Sequence, residues 1–307
     1  MDLRQLRAFV AIARTGSFTA AARHLRVAQP ALSQKLRALE VELGVVLVER
    51  GNRTSGLTEP GARLLVRAER ILAEVHDAAE EMAAHGGRER GSVRLGCALQ
   101  TLIEGRLAPL LARFHERHPA LRIVLREVHT RQVFELLRRA EVDLGLVHLG
   151  RAGGGPVIGA EAASADLALL RLYREPLVVL VAPGHRLAGR TGVRLDDLAG
   201  EDFISFRPGA TVRQLVNAAA AERGVTLRVA FSTANMGTVR AVVSAGLGVA
   251  IVPLSATEVP GPPLRALPLS APRLERLVTL VRNKARYESP AVATLRQVLV
   301  GELARAR

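Results

Sequence analysis

Between Leu3 and Leu43 apolar residues recur at helical spacing in three runs, and the breaks between them are only a few residues long. Leu3, Leu6, Val10 and Ala13 mark a first amphipathic helix that ends near Gly16. Ser17 stands where it caps a second helix, whose Phe18, Ala21, Ala22 and Leu25 form one apolar face. The small side chains of Ala20, Ala21 and Ala22 let a neighbouring helix pack close. Arg26–Val27–Ala28 make a turn. A third helix opens with Pro30, a favoured first-turn residue, and carries Leu32, Leu36, Leu39 and Leu43 on one side. Gln29, Ser33, Gln34 and Arg37 occupy the opposite side. Two short helices joined by so tight a turn fit a helix–turn–helix. A face of amides, a hydroxyl and a guanidinium, free of apolar burden, fits the major groove of duplex DNA.

The next segment extends the pattern. Val45–Glu49 has strand-like apolar content, Arg50–Gly51–Asn52–Arg53 is a basic turn, and Thr54–Leu57 returns. Such a hairpin is a wing, and Arg50 and Arg53 at its tip suit phosphates or a minor groove. The net charge of +14 fits an anionic partner without locating it. Residues 1–58 hold nine Lys/Arg against four Asp/Glu, and residues 91–307 hold 29 against 18, so the pattern and not the bulk charge singles out the N-terminal part. Lys35 and Lys284 are the only lysines. A GC-rich coding bias explains the arginine excess, and phosphate or carboxylate binding is the sharper reading.

From Thr58, with Pro60 at its start, a helical pattern runs unbroken to about Ala84. Leu65, Leu72 and Ala79 recur every seven residues, as do Ala68, Val75 and Met82. That a/d seam spans nearly three heptads over roughly 40 Å of helix, and a second copy of the helix satisfies it best. A homodimer also matches two recognition helices to half-sites one helical turn apart. His85–Gly91 ends the helix as a hinge.

Beyond Ser92 strands and helices alternate: Val93–Ala98, Arg106–Arg117, Leu121–Glu127, Arg131–Arg139 and Asp143–His148 read as an α/β lobe with a parallel sheet. A glycine-rich loop, Gly150–Gly159, leads to Leu167–Ala182. A second lobe follows, with strands Phe203–Phe206, Arg228–Phe231 and Val249–Val252 and helices Val212–Glu222 and Met236–Ala245. Leu277–Val281 reads as a strand returning to the first lobe, and Pro290–Arg305 as a closing helix. Ligands of open α/β sheets sit at the carboxyl ends of strands, between lobes. The helices near Arg106, Thr211 and Gly237 bring N-terminal N–H groups there, which suits a small organic anion.

Other functions find little support. No nucleophile elbow, P-loop, HExxH or dinucleotide fingerprint is present, so no enzyme is expected and no cofactor. His115 and His118 share a helix end without the further ligands that zinc needs, and no metal is expected. The single cysteine, Cys97, excludes an intrachain disulfide, and without a resolving partner it is expected to be a small buried hydrophobe rather than a redox sensor. The N-terminus lacks a secretory apolar region. The longest apolar run, Ala241–Pro253, is too short to span a bilayer, so a cytoplasmic protein with no membrane partner is expected.

One family combines these features. Leu3–Phe9, Gly16–Ala22, Gln29–Pro30–Ala31–Leu32–Ser33, Leu39–Glu40, Leu43–Gly44, Glu49–Arg50 and Leu57–Thr58–Glu59–Pro60–Gly61 resemble, with matching spacing, the LysR-type transcriptional regulators. The resemblance implies an α/β chain overall with three parts. These are a winged helix–turn–helix over residues 1–58, a linker helix and hinge over 59–90, and a two-lobed, periplasmic-binding-protein-like (type 2) effector domain over 91–307. Lobe I is expected at about 91–163 and 267–307, and lobe II at about 164–266. It places base contacts at Gln29, Pro30, Ser33 and Gln34, with Arg37, Arg50 and Arg53 joining the DNA interface. It nominates Gln100, Thr101, Thr130, His148 and Arg207 as effector contacts. The implied partners are double-stranded promoter DNA, a small-molecule effector, further copies of the chain as a dimer or tetramer, and RNA polymerase. The chain departs from the family at Ala28, where a capping serine is usual, and at Gln34 and Lys35, so base preference does not carry over.

Overall fold

Asp2 opens helix α1 (Leu3–Thr15) by accepting from the Gln5 N–H at 2.7 Å, and Gly16 closes it at φ 62°, a left-handed cap. Ser17 caps α2 (Phe18–Leu25) through the Ala20 N–H, and α3 (Gln29–Leu43) follows after the Arg26–Ala28 turn. Leu6, Phe9, Ile12, Ala21, Leu32, Leu36 and Leu39 form the core of this three-helix head. These elements fall where the apolar periodicity places them. The computed structural model describes residues 1–50, 55–85, 91–150 and 165–304, and it divides into two units, Met1–Arg88 and Glu89–Arg307.

The wing is shorter than its sequence suggests. Strands β1 (Val48–Arg50) and β2 (Ser55–Leu57) pair antiparallel, while Val45 and Val46 precede the strand and are exposed. The Glu40 carboxylate of α3 accepts from the Leu47 and Val48 N–H groups, at 2.9 and 3.3 Å, and so fixes where β1 begins. Helix α4 (Glu59–His85) starts at Thr58, whose hydroxyl accepts from the Gly61 N–H at 3.0 Å and donates to the Val46 carbonyl at 2.7 Å. A Cβ on Gly61 would lie 2.0 Å from the Leu47 carbonyl oxygen, so only glycine fits this crossing.

The heptad seam of α4 is divided. Ala68 is buried in the core of its own unit, Leu65 and Leu72 pack against that core, and Arg14 of α1 bonds the buried Glu69. The first half of the seam is therefore engaged within the chain. Ala79 and Met82, further along, are exposed.

Unit 2 contains β3 (Gly91–Cys97), α5 (Gln100–Leu102), a π-helical turn (Ile103–Leu107), α6 (Ala108–Arg117), β4 (Leu121–Glu127), α7 (Thr130–Arg138) and β5 (Leu144–Gly150). The helical segment thus begins at Gln100, earlier than the periodicity places it. Then come β6 (Leu167–Val181), β7 (Val193–Arg194), β8 (Asp202–Phe206), α8 (Thr211–Glu222), β9 (Arg228–Thr233), α9 (Met236–Ser244), β10 (Ala250–Pro253), β11 (Arg265–Ala271), β12 (Glu275–Asn283) and α10 (Pro290–Leu303). The strand order is β4-β3-β5-β12-β6-β11-β7, with β10 also on β6 and a separate β8–β9 pair.

The expected parallel sheet holds for β4, β3 and β5, and for β8 with β9. It fails at the crossing strands: β12 runs antiparallel to both β5 and β6, and β10 and β11 run antiparallel to β6. The 15-residue β6 is long enough to serve both lobes, pairing with β12 along Leu167–Pro176 and with β10 and β11 along Leu177–Val181. Core membership follows the same division. Leu172, Val278 and Leu280 pack in lobe I, whereas Leu177, Leu267, Leu269 and Leu274 pack in lobe II. Along β6 the core membership changes between Leu172 and Leu177, and it changes back between Leu274 and Val278. The glycine-rich segment 151–164 lies outside the described residues.

Candidate functional site

On the outer side of α3, Gln29, Pro30, Gln34 and Arg37 are exposed and Ser33 is half-buried, opposite the buried Leu32, Leu36 and Leu39. The Thr19 hydroxyl of α2 donates to Gln29 Oε1 at 3.2 Å. That contact, which periodicity alone does not reveal, holds the side chain by its oxygen and leaves its NH2 to donate outward. A donor amide and, about two turns along the same helix, an exposed guanidinium are the kinds of group that match the acceptors of base edges and phosphates. Ala28, the residue before α3, has φ −69° and ψ 138° and makes no side-chain cap bond. The Arg50 side chain and the whole of Arg53 lie outside the described residues.

In unit 2 the carboxyl ends of β3, β4 and β5 lie side by side. Cys97 is opposite both Glu127 and Leu146. Strand β5 continues past that register to Gly150 and carries His148, and His129 follows two residues after β4. Thr130 then begins α7. Its side chain is buried, and Oγ1 has no hydrogen-bond partner. His148 Nδ1 is likewise buried and without a partner. Burial, reinforced by the charge of Arg276 and by His129, holds the His148 pKa well below its ordinary value, while the Ala98 carbonyl favours one ring N–H. The imidazole is therefore neutral, with Nδ1 an open acceptor.

Contacts between the lobes surround these strand ends. Gln100 Oε1 accepts from the Met236 N–H at the start of α9, at 3.4 Å, while its NH2 bonds Glu104. Arg106 grips Glu258 of lobe II with two bonds, at 2.5 and 2.9 Å. Glu175 of β6 and Arg276 of β12, only 4% and 5% exposed, are bonded at 2.6 Å, and the Ser255 N–H of lobe II donates to the same carboxylate at 2.8 Å. Burial alone would raise the Glu175 pKa, but Arg276 and Ser255 outweigh it and hold the carboxyl below its ordinary value. Burial pushes the neighbouring Tyr173 hydroxyl up to about 12.

Comparison with known proteins decides the family. The model for the bacterial regulatory helix-turn-helix of the lysR family matches residues 3–62, and that for the LysR substrate binding domain matches residues 86–304. This chain belongs to the LysR family of transcriptional regulators. It is 30% identical to the RuBisCO operon transcriptional regulator of Allochromatium vinosum, over 99% of this chain and 97% of that one. It is 33% identical to a probable hydrogen peroxide-inducible genes activator of Mycobacterium avium, over 97% and 93%. In fold it resembles full-length OxyR from Pseudomonas aeruginosa, with TM-score 0.74, 22% identity and coverage of 99% and 95%. It also resembles CbnR in complex with its target DNA, with TM-score 0.65, 24% identity and full coverage of both chains.

As a LysR-type regulator the chain combines a DNA-binding winged helix–turn–helix with an effector-binding domain, and effector-controlled regulation is the norm of that family. Among the described residues no helix is long and apolar enough to cross a membrane, and no cluster of His, Cys, Asp and Glu could hold a metal. His118 packs its ring on Phe114 at 4.8 Å. Of the five effector candidates, Thr130 opens α7 just after β4, His148 lies within β5 near its carboxyl end, and Gln100 reaches across to lobe II. Arg207 follows β8 and is exposed; its backbone N–H donates to the Thr233 carbonyl and its carbonyl accepts from the Ala210 N–H. The Thr101 side chain lies outside the described residues. Sequence reading missed Glu175 and Arg276, although charged residues inside the apolar runs 167–181 and 275–283 were the available signal.

Proposed function

We propose that this regulator reads duplex DNA as a homodimer through Gln29, Pro30, Ser33, Gln34 and Arg37, with the wing arginines on the backbone. A small organic anion held at the carboxyl ends of β3, β4 and β5 controls that reading. The observation that carries the effector site is the pair of buried, unpartnered polar atoms, Thr130 Oγ1 and His148 Nδ1, because natural interiors rarely leave such groups unmatched. Gln100, bonded across to α9, ties the occupancy of this region to the relative position of the lobes. The uncapped start of α8 at Ala210, with Arg207 nearby in the chain, adds positive character on the lobe II side. The reading assigns the chain no catalytic step and a cytoplasmic location, where promoter DNA is accessible.

The test is a footprint on the chain's own promoter region combined with calorimetry against a panel of small carboxylates. The expected result is an anion that binds with micromolar affinity or better and changes the extent of the footprint. Binding only of neutral or cationic compounds, or a footprint that no bound anion alters, overturns the reading.

A further inference from the structure

The two unpartnered atoms demand different things of a ligand. His148 Nδ1 offers a lone pair. The ring is neutral, the Ala98 carbonyl engages a ring N–H, and Arg276 together with His129 opposes a second proton. A carboxylate or keto oxygen placed against Nδ1 would set lone pair against lone pair, so this nitrogen needs a donor from the ligand. An ammonium would supply one, but it would stand beside the Arg276 cation. A neutral hydroxyl meets the need without that repulsion.

Thr130 Oγ1 sits in a different field. It belongs to the first residue of the nine-residue helix α7, is 93% buried by residue, and can donate. First-turn N–H groups of α7 lie beside it, since the first intrahelical bond runs from the Val133 N–H to the His129 carbonyl. A threonine hydroxyl and a helix N-terminus acting together suit a carboxylate oxygen. The cations on this wall are already matched: Arg276 bonds Glu175, and Arg106 bonds Glu258. Here the anion is held by dipoles and a hydroxyl rather than by a free guanidinium. His129, the residue before Thr130, is close enough for its charge to depress the His148 pKa, which brings the start of α7 and the His148 ring into one neighbourhood.

We propose that the effector is a small hydroxycarboxylate, its carboxylate at Thr130 and the start of α7 and its hydroxyl donating to His148 Nδ1. This rests on the effector site named above and adds the chemical class of its occupant. A site built to hydrogen-bond a ligand hydroxyl discriminates strongly against analogues that lack it, because the buried acceptor is then left unmatched.

Calorimetry with the full-length protein tests it, using matched pairs: lactate with propionate and pyruvate, malate with succinate and oxaloacetate, and 3-hydroxybutyrate with butyrate and acetoacetate. At least one hydroxy acid should bind ten-fold or more tightly than both its deoxy and its keto partner. His148→Gln should bring that ratio close to one, while Thr130→Val should weaken all three members of the set by a similar factor. The parent protein's ratio needs no variant, so it decides the matter even if a substitution impairs folding. Deoxy acids that bind as tightly as hydroxy acids overturn the hydroxyl assignment and leave the anion site standing. No binding by any of these acids, or hydroxy-acid binding unchanged in the Thr130→Val and His148→Gln double variant, overturns the site as well.

Discussion

Removing the Arg276 guanidinium should destabilise unit 2 severely, and in a way that depends on pH. Glu175 is 4% exposed, and Arg276 Nε and both the N–H and the hydroxyl of Ser255 bond its carboxylate. Arg276→Met keeps the length of the side chain and leaves a buried carboxylate with only the neutral donors of Ser255. Breaking one side of a buried pair costs about 3–5 kcal/mol, since the remaining charge has lost both water and counter-charge. For a domain of this size that is about 6–20 °C in Tm.

In the parent, the lowered Glu175 pKa contributes stability that is present above its ordinary value of 4.5 and is lost as pH falls through the depressed value. In Arg276→Met burial, the largest influence on this carboxyl, is opposed only by the Ser255 donors and the pKa should rise, so protonation relieves the penalty as pH falls. The difference between the two proteins should therefore shrink between about pH 8 and pH 5. Adding Glu175→Gln, which keeps an oxygen for the Ser255 N–H, should recover most of the loss at neutral pH. Urea unfolding of the three proteins across that range is the assay. A loss in Arg276→Met below about 1 kcal/mol at neutral pH, or a gap that does not change with pH, refutes the reasoning.

Ala28→Ser should stabilise the reading head by about 1 kcal/mol, because a hydroxyl there can accept from the Ala31 N–H and Pro30 has none to offer. An unchanged unfolding midpoint counts against it. The neutral, buried His148 makes the protein less stable as pH falls below about 6.5, since the unfolded chain then binds the extra proton, with a limiting slope of about 1.4 kcal/mol per pH unit. His148→Gln should flatten that slope, and an identical pH profile would show the dependence to originate elsewhere. Cys97 is fully buried, and burial raises its thiol pKa to about 12, so alkylation and peroxide oxidation of the native protein should be slow. Modification as fast as in the unfolded chain would contradict that.

What was legible in the sequence was mostly local. Capping by Ser17, the missing cap at Ala28 and the 3.6-residue spacing of Leu32, Leu36 and Leu39 each depend on neighbours within a turn or two, and the structure reproduces them. The strands of lobe I were legible for the same reason. Strand β11 was not, because Pro268 interrupts its alternation and its partner, β6, lies more than 80 residues away. Nor was the division of the α4 seam, because heptad spacing does not say whether Leu65, Ala68 and Leu72 meet another chain or their own α1. Thr130 and His148 came from family resemblance, and only the fold shows that their polar atoms are unmatched. Glu175 and Arg276, 101 residues apart, become a pair only when β6 and β12 cross.

The close crossing at Gly61 has a mechanical side. Thr58 is tied to the Val46 and Leu47 carbonyls, its hydroxyl accepts from the Gly61 N–H, and the missing Cβ lets the backbone of α4 rest against the strand root. Such a joint has almost no slack. Torsion applied to α4 cannot be absorbed where the helix meets the hairpin, and so it reaches β1 and β2 undiminished. A rod some 40 Å long, clamped at one end to the hairpin, carries a rotation applied far along its length to β1 and β2.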